Sequence, residues 1–287
     1  MKEMPFQRIA VVGLGLVGGS LVKSFRRNTP ARKLVGVDSR DILAGAREYL
    51  DDAFEPENLA AAVRDADLVF LATPINAILN LLPEVAKTIC SGTVVTDVGS
   101  TKSVIVEQAQ KHFSGERFFI GGHPLAGREK GGWENARADL FENAAYVLTP
   151  QSNFPAHLSE ALTQLLQTLG ARVIKLDPAA HDRLVADISH LPQLLAVALM
   201  NFIGRDNASP ELALQLAGGG FRDMTRLAAS PHAIWQDILN SNRANVRKNL
   251  QEFIVTLQQL EHAFDSGDLE RHFQQANWLR ENLAALR

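Results

Sequence analysis

The 287-residue sequence has little of several things, and each shortage excludes something. It has one cysteine, Cys90, so there is no intrachain disulfide and no multi-cysteine zinc site, and a reducing compartment suits it. Cys90 itself is expected to be core filler rather than a nucleophile. The 20 glycines and 12 prolines fall well below the share that marks low-complexity or disordered chains. Neither sign of charge dominates: 29 Lys and Arg stand against 32 Asp and Glu, a net charge of −3. That leaves no basic field to draw the protein to nucleic acid or an anionic membrane, and small molecules are the expected partners. Long apolar runs are missing too. Residues 9–22 are broken by Gly13, Gly15, Gly18 and Gly19 with no cleavage site after them, and Leu191–Ile203 contains Pro192 and Gln193 and is too short to span a bilayer. A cytoplasmic globular protein is expected. No repeat of 20–50 residues occurs.

In the first half, short β-branched runs alternate with helical patterns. Strands are expected at Arg8–Val12, Leu34–Val37, Leu68–Leu71, Thr93–Thr96, Phe118–Ile120, Ala145–Leu148 and Arg172–Ile174, with amphipathic stretches such as Ile75–Lys87 and Thr101–His112 between them. This alternation predicts an α/β fold, a doubly wound and mostly parallel sheet covered on both faces. From Asp177 the strand signal stops. Helical periodicity covers 178–204, 221–229, 231–241, 243–265 and 268–286, with Phe253, Leu257, Leu260 and Phe264 along one face. The expected division is therefore 1–177, a dinucleotide-binding domain, and 178–287, an all-helical domain for substrate binding and dimerisation. The long amphipathic helices 178–204 and 243–265 expose more apolar stripe than a small bundle covers, which predicts a homodimer.

The segment IAVVGLGLVGGSLV places Gly13, Gly15 and Gly18 in a G-x-G-x-x-G pattern between a strand and a helix. In that pattern the first glycine makes the tight turn, the second admits a pyrophosphate to the backbone, and the third lets helix and strand pack closely. The phosphates then meet the free N–H groups of the helix start, here Leu16 and Val17. Asp38 closes the next strand. Its carboxylate suits the ribose hydroxyls and repels a 2′-phosphate, which favours NAD; Arg40, two residues on, could pair with such a phosphate and keeps NADP open, or is a solvated loop charge. Thr73 and Pro74 end another strand at the sheet's carboxyl edge and are expected to touch the cofactor. After the strand in TVVTDVGSTK, Ser100 either caps the next helix or meets a ligand. His123, in GGHP, is either a plain loop histidine or a ligand-facing one.

In DRLVADISHLPQLLAVALMNF the positions Leu184, Val185, Ile188, Leu191, Leu195, Leu199 and Phe202 predict a buried helix. Pro192 inside it removes a backbone hydrogen bond at a cost of about 3 kcal/mol. Such breaches of local rules mark functional sites, so His190 becomes a candidate ligand residue beside its default as a core histidine. Gly218–Gly220 then open a helix on which Arg222 and Arg226, at i and i+4, present two forks to a carboxylate or pair with Asp223 on a solvated face. Ser230 and Pro231 read as N-cap and first position of a helix carrying Trp235.

VGLGLVGGS, DVGSTK, GGHPLAG, SHLPQ and GGGFRDMTRLA followed by Trp235 occur in the order seen in prephenate and arogenate (cyclohexadienyl) dehydrogenases, and the chain resembles this TyrA-type family along essentially its whole length. The later motifs are far more specific than the glycine loop. The resemblance implies NAD(P)-dependent oxidative decarboxylation of prephenate to 4-hydroxyphenylpyruvate, or of arogenate to tyrosine, by a dimer with interlocked helical domains. By carry-over, His123 takes the proton of the substrate's C4 hydroxyl, Ser100 orients His123 and touches that hydroxyl, and His190 and Arg226 hold the substrate. Trp235 completes the pocket, from its own chain or across the dimer. Arg128 departs from the small hydroxyl residue common after GGHPLAG, and it either favours the dicarboxylate prephenate or faces solvent. No regulatory or chorismate mutase domain of the kind fused to some relatives is expected. Two other readings compete. A β-hydroxy acid dehydrogenase would need a lysine on the long helix, yet none lies between Asp177 and Lys248; a non-catalytic dinucleotide sensor would not need both His123 and the arginine pair.

Overall fold

The computed structural model describes residues 5–29, 32–127, 130–205 and 210–285, and the chain divides into two compact units, Met1–Asn242 and Arg243–Arg287. Among the described residues the first unit holds one eight-stranded sheet. Its strands are β1 (Arg8–Val12), β2 (Lys33–Val37), β3 (Asp52–Phe54), β4 (Leu68–Leu71), β5 (Val94–Asp97), β6 (Phe118–Pro124), β7 (Ala145–Thr149) and β8 (Arg172–Lys175), in the order 3-2-1-4-5-6-7-8. Pairs from β3 across to β6 are parallel, β7 joins β6 antiparallel, and β8 runs parallel to β7. Both faces are covered, and alternate residues divide between them: Ile9, Val11, Leu34, Leu68 and Phe70 pack on one side, Ala10, Val12, Val35, Val69 and Leu71 on the other. The Leu16–Asn28 and Ala156–Thr168 helices bury Leu21, Phe25, Leu162 and Leu166 against the first face. The Ile75–Thr88 and Ser103–Gln110 helices bury Ile78, Leu82 and Ile105 against the second. Each such side chain contributes about 1.5–3 kcal/mol by leaving water.

The doubly wound sheet is the architecture the sequence predicts, with three differences of detail. Strand β3 has no sequence signal because it is three half-exposed residues long and pairs only at an edge. Strand β6 runs four residues past its expected end, so His123 lies on a strand, opposite Val147, and not in a loop. Gly121 and Gly122 permit this: a Cβ at either would come within 2.4 Å of the Thr149 hydroxyl or 2.5 Å of the Asp97 carbonyl. Cys90 is exposed, and the buried residue at that turn is its neighbour Ile89.

The 178–204 helix is one long rod in three parts: α-helix Pro178–Val185, a π turn Ala186–His190, and α-helix Leu191–Gly204. The Asp177 carboxylate accepts the N–H groups of Ala179 and Ala180 at its start. The π turn absorbs Pro192, which falls in the first turn of the following helix, where a missing N–H costs little. Of the expected buried stripe, Val185 is buried and Leu191, Leu195 and Leu199 are half-buried. Leu184, Ile188 and Phe202 are exposed, whereas His181, Asp182, His190 and Gln193 are buried among the described residues, because the polar face is the one that turns toward the sheet. At 27 residues the rod has the length and hydropathy to cross a membrane, a property its expected shorter core lacked.

Further along, the Gly219–Thr225 helix gives way to a 3₁₀ turn at Arg226–Ala229, so Arg222 and Arg226 do not share one α-helical face. The next helix is His232–Ser241, with Pro231 at its N-cap and no side-chain cap from Ser230. It is pinned to the sheet half: Asp237 accepts both the backbone and side-chain N–H of Asn76, and Ile238 enters the core. The second unit is a helical pair, Arg243–Ser266 and Leu269–Ala285, turned at Gly267 with φ of 79°. Of its expected stripe, Leu257 and Phe264 are exposed.

A Cβ on Gly18 would sit 1.8 Å from the Gly13 carbonyl oxygen and 2.9 Å from the Ala72 Cβ. Gly18→Ala must push the first helix off β1, and urea unfolding is expected to lose about 1–3 kcal/mol, the usual cost of overpacking. An unchanged midpoint would contradict this packing role.

Candidate active site

Strands β2 and β3 lie to one side of β1, and β4 to β6 to the other. A parallel sheet that reverses its order of building opens a crevice at the strand carboxyl ends, between β1 and β4. The glycine loop follows β1 there. Gly13 turns with φ of 90° against the Ala72 carbonyl, whereas a Cβ on Gly15 would meet nothing within 4 Å. The open side of Gly15, the free N–H groups at the head of the Leu16–Asn28 helix and the unpartnered buried hydroxyl of Thr73 form a cradle of the kind a pyrophosphate fills. Pro74 caps the helix beside it. Asp38 closes β2: Oδ2 accepts the Leu14 N–H at 2.6 Å and Oδ1 that of Ser39 at 2.7 Å, which ties the strand end to the loop. Arg40 is exposed at the start of the next helix. The residues present fit a dinucleotide.

The end of β5 is held by a buried ion pair. Lys102 Nζ contacts Asp97 and donates to the Gly122 carbonyl at 2.7 Å, while Asp97 accepts the N–H groups of Gly99 and Gly122 at 2.8 and 3.0 Å. Burial lowers the Lys102 pKa against the opposing pull of Asp97 and Asp182. This knot fixes β6 and hence His123. His123 Nδ1 lies 2.8 Å from His181 Nε2, and His181 Nδ1 lies 2.9 Å from Asp182 Oδ1. Asp182 in turn accepts the backbone N–H groups of Lys102 at 2.7 Å and Ser103 at 2.9 Å. It caps the Ser103–Gln110 helix from 79 residues away, the task the sequence offered to Ser100. Burial alone would raise the Asp182 pKa, but its hydrogen bonds with His181, Ser103 and Lys102 outweigh that and hold it below the usual range.

A cleft of about 580 Å³ opens above this network. It brings together Leu16, Val17, Ser100, His123, His190, Arg226 and Trp235. Trp235 comes from the same chain, its ring edge-to-face with His190 at 5.9 Å. Asn242 donates to the Asp182 carbonyl at 2.7 Å and lies 3.2 Å from His190 Nδ1, so the other ring nitrogen of His190 carries hydrogen. Burial, opposed by Asp182 and aided by His181, lowers the His190 pKa to about 4. Burial and the charges of Lys102, His181 and His190 hold His123 well below the ordinary value of 6.5. Both cleft histidines are therefore neutral at pH 7.

Arg222 lies outside this cleft, exposed, with Nε donating to the Ala217 carbonyl at 3.2 Å. Arg128 lies outside the described residues. The side chain hydrogen-bonded to His123 is that of His181, and Ser100 lines the same cleft. Sequence reasoning missed His181, Asp182, Lys102, Asp97 and Asn242. The available signal was a lysine in the otherwise uncharged stretch after Asp97, and a His-Asp pair sharing a helix face with His190.

A Rossmann-type sheet with an open glycine loop at its switch point, beside a cleft walled by neutral histidines and an arginine, defines a nucleotide-dependent dehydrogenase. Residues 21–175 match the family model for the prephenate dehydrogenase nucleotide-binding domain, and residues 177–281 that for the prephenate dehydrogenase dimerization domain. Prephenate dehydrogenase of Bacillus subtilis is 34% identical over 282 residues, 96% of this chain and 76% of that protein. The crystal structure of Synechocystis arogenate dehydrogenase superposes with a TM-score of 0.83 at 35% identity, covering 96% of this chain and 99% of that one. That of prephenate dehydrogenase from A. aeolicus, in complex with hydroxyphenyl propionate and NAD+, gives 0.90 at 27% identity, covering 98% and 100%. The chain belongs to the prephenate dehydrogenase family and is an oxidoreductase.

Gly15→Ala tests the cradle separately from the fold. With no neighbour to strike, it is expected to melt near the parent temperature yet lose dinucleotide affinity in fluorescence titration. Parent affinity would place the dinucleotide elsewhere.

Proposed function

We propose that the protein is an NAD-dependent prephenate dehydrogenase, which converts prephenate to 4-hydroxyphenylpyruvate and CO2 in tyrosine synthesis. Arogenate, alone or beside prephenate, is the second reading, favoured by the likeness to the Synechocystis arogenate enzyme. The observation that carries the proposal is the cleft in which His123 and Arg226 stand beside Leu16 and Val17 of the glycine-loop helix. NAD over NADP is supported by the Asp38 carboxylate at the end of β2, where a 2′-phosphate would be repelled. Residues 1–177 would bind the dinucleotide, and 178–287 the substrate and a second copy of the chain. The exposed Leu184, Ile188, Phe202, Leu257 and Phe264 support a homodimer, and the matched dimerization model agrees; a reducing cytoplasm suits the single cysteine.

When bound, NAD supplies the acceptor for the hydride released from C4 of the substrate. The chain's residues do the rest. Gly13, Gly15 and Gly18, with the N–H groups of Leu16 and Val17, hold the pyrophosphate; Asp38, Thr73 and Pro74 flank it. Arg226 pairs with a substrate carboxylate through its planar fork, and neutral His190 donates one hydrogen bond without adding a second charge. Trp235 closes the apolar side. Ser100 bonds the C4 hydroxyl. His123 draws the proton of that hydroxyl as the C4–H bond breaks, and returns it to the oxygen as CO2 leaves C1 and the ring becomes aromatic, so the imidazole ends neutral as it began.

A base with a depressed pKa stays unprotonated, and so active, to lower pH. The kcat profile is expected to hold level through pH 6.5 and fall only well below it. His123→Asn keeps a hydrogen-bonding amide but no base; kcat measured with prephenate and NAD should drop by roughly 10²–10⁴-fold and the acid limb vanish. Near-parent kcat with the limb intact would reassign the base.

Arg226→Ala is expected to raise the prephenate KM roughly 10- to 150-fold, the worth of a charge-assisted bidentate contact of about 1.5–3 kcal/mol, with NAD affinity near the parent value. Crossing prephenate and arogenate with NAD and NADP in the same assay tests the substrate and cofactor together. An unchanged prephenate KM would return Arg226 to a structural role, and a higher kcat/KM with arogenate would favour the second reading.

A further inference from the structure

A neutral imidazole has one bare nitrogen, and a base must have it on the side of the substrate. Reading His123 as that base leaves open what keeps its proton on the far side. The Asp182 carboxylate is 2% exposed and accepts only; it already takes the N–H groups of Lys102 and Ser103, at the head of a helix whose dipole favours an anion. His181 Nδ1, 2.9 Å from Oδ1, must therefore carry hydrogen. A neutral His181 then has a bare Nε2, and this atom lies 2.8 Å from His123 Nδ1.

Resting on the base assignment above, we infer that His181 and Asp182 are positioning residues: they fix His123 as its Nδ1–H tautomer and leave Nε2 bare for the substrate hydroxyl. The relay has a single polarity. If His181 gains a proton, its Nε2–H donates to His123 Nδ1, and His123 presents an N–H to the cleft that cannot accept the hydroxyl proton. The charged and titratable groups that face the pair are Lys102 and Asp97 from the end of β5, Tyr146 from β7, Asp182 from the helix of His181 itself, and His190 from the π turn. While His123 holds the substrate proton, the positive charge on its ring is shared toward His181 and Asp182, and it disappears when the proton returns to the product oxygen.

The test compares two substitutions at one buried position. His181→Leu removes both hydrogen bonds and keeps an apolar side chain; kcat with prephenate and NAD is expected to fall roughly 10²–10⁴-fold, the range of a mispositioned base, with substrate KM and NAD affinity near parent values. In His181→Gln the amide nitrogen can still donate to Asp182 and the amide oxygen accept from His123 Nδ1. It is expected to recover most of that loss, with an acid limb moved from the parent's because the ring hydrogen-bonded to His123 is replaced by an amide. Near-parent kcat in His181→Leu, or equal losses in both variants, would overturn the relay. Should the leucine variant not fold, the glutamine variant decides alone, and an acid limb identical to the parent's would overturn it. His123→Asn assayed alongside separates the two layers: if it keeps kcat, the base assignment has failed; if it loses kcat while His181→Leu keeps it, only the relay has.

Discussion

An anion withdrawn as far from water as the Asp182 carboxylate must be given hydrogen bonds by the protein, since an unmet buried charge costs several kcal/mol. The donors it receives come from the two halves of the first unit. Lys102 and Ser103 stand at the end of the β5 loop, His181 on the first turns of the long helical rod, and Asn242 on the carbonyl of the same residue. Satisfying this one group brings the rod to the carboxyl edge of the sheet. It also orients the His181 ring toward His123, while Asn242, bonded to the backbone carbonyl of the same residue, holds the ring of His190. Burial keeps both cleft imidazoles neutral.

The ground beneath the network is stiff for a related reason. Lys102 and Asp97 are both fully buried, and such a pair is retained only where further hydrogen bonds use up their remaining donors and acceptors. Here those bonds run to Gly99 and Gly122, so the pair clamps β5 to β6 at the position that carries His123. A catalytic group on a strand, locked by backbone pairing on its β7 side, is held more closely than one in a loop. Gly121 and Gly122 appear where they do because a methyl group on either would strike Thr149 or Asp97. The dinucleotide side needs the opposite arrangement, and Gly15 leaves space open where a ligand's backbone contact would fall.

Most of the sheet was legible from local pattern, because strands buried on both faces read as runs such as IAVV and LVFL. The glycine loop was legible because its three glycines fall within six residues between a strand and a helix, although Gly13 and Gly18 are crowded by Ala72 on a neighbouring strand end and Gly15 faces open space. What escaped was non-local or cancelled. Strand β3 is too short and too exposed to leave a pattern. The π turn cannot be seen in periodicity, yet it reconciles Pro192 with a continuous rod. The rod's apolar stripe was a partial guide, since beside Val185 the rod also hides the polar His181, Asp182, His190 and Gln193. His181 and Asp182 left no local signal because their partners lie 58 to 80 residues away. His123, Ser100, His190, Arg226 and Trp235 were legible as candidates, one motif at a time, and the cleft is where they meet. The reach of Arg222 failed where its α-helix ends at Thr225 and a 3₁₀ turn begins at Arg226.

The account stands on His123 being neutral and bare at Nε2 in the resting protein. Nitrogen-15 NMR of the protein labelled at its histidine rings reads this directly, since a bare ring nitrogen, a protonated one and an imidazolium resonate apart. At pH 7 the account predicts a His123 ring with hydrogen on Nδ1 and a bare Nε2. A His123 signal with hydrogen on Nε2, or on both nitrogens, would contradict it.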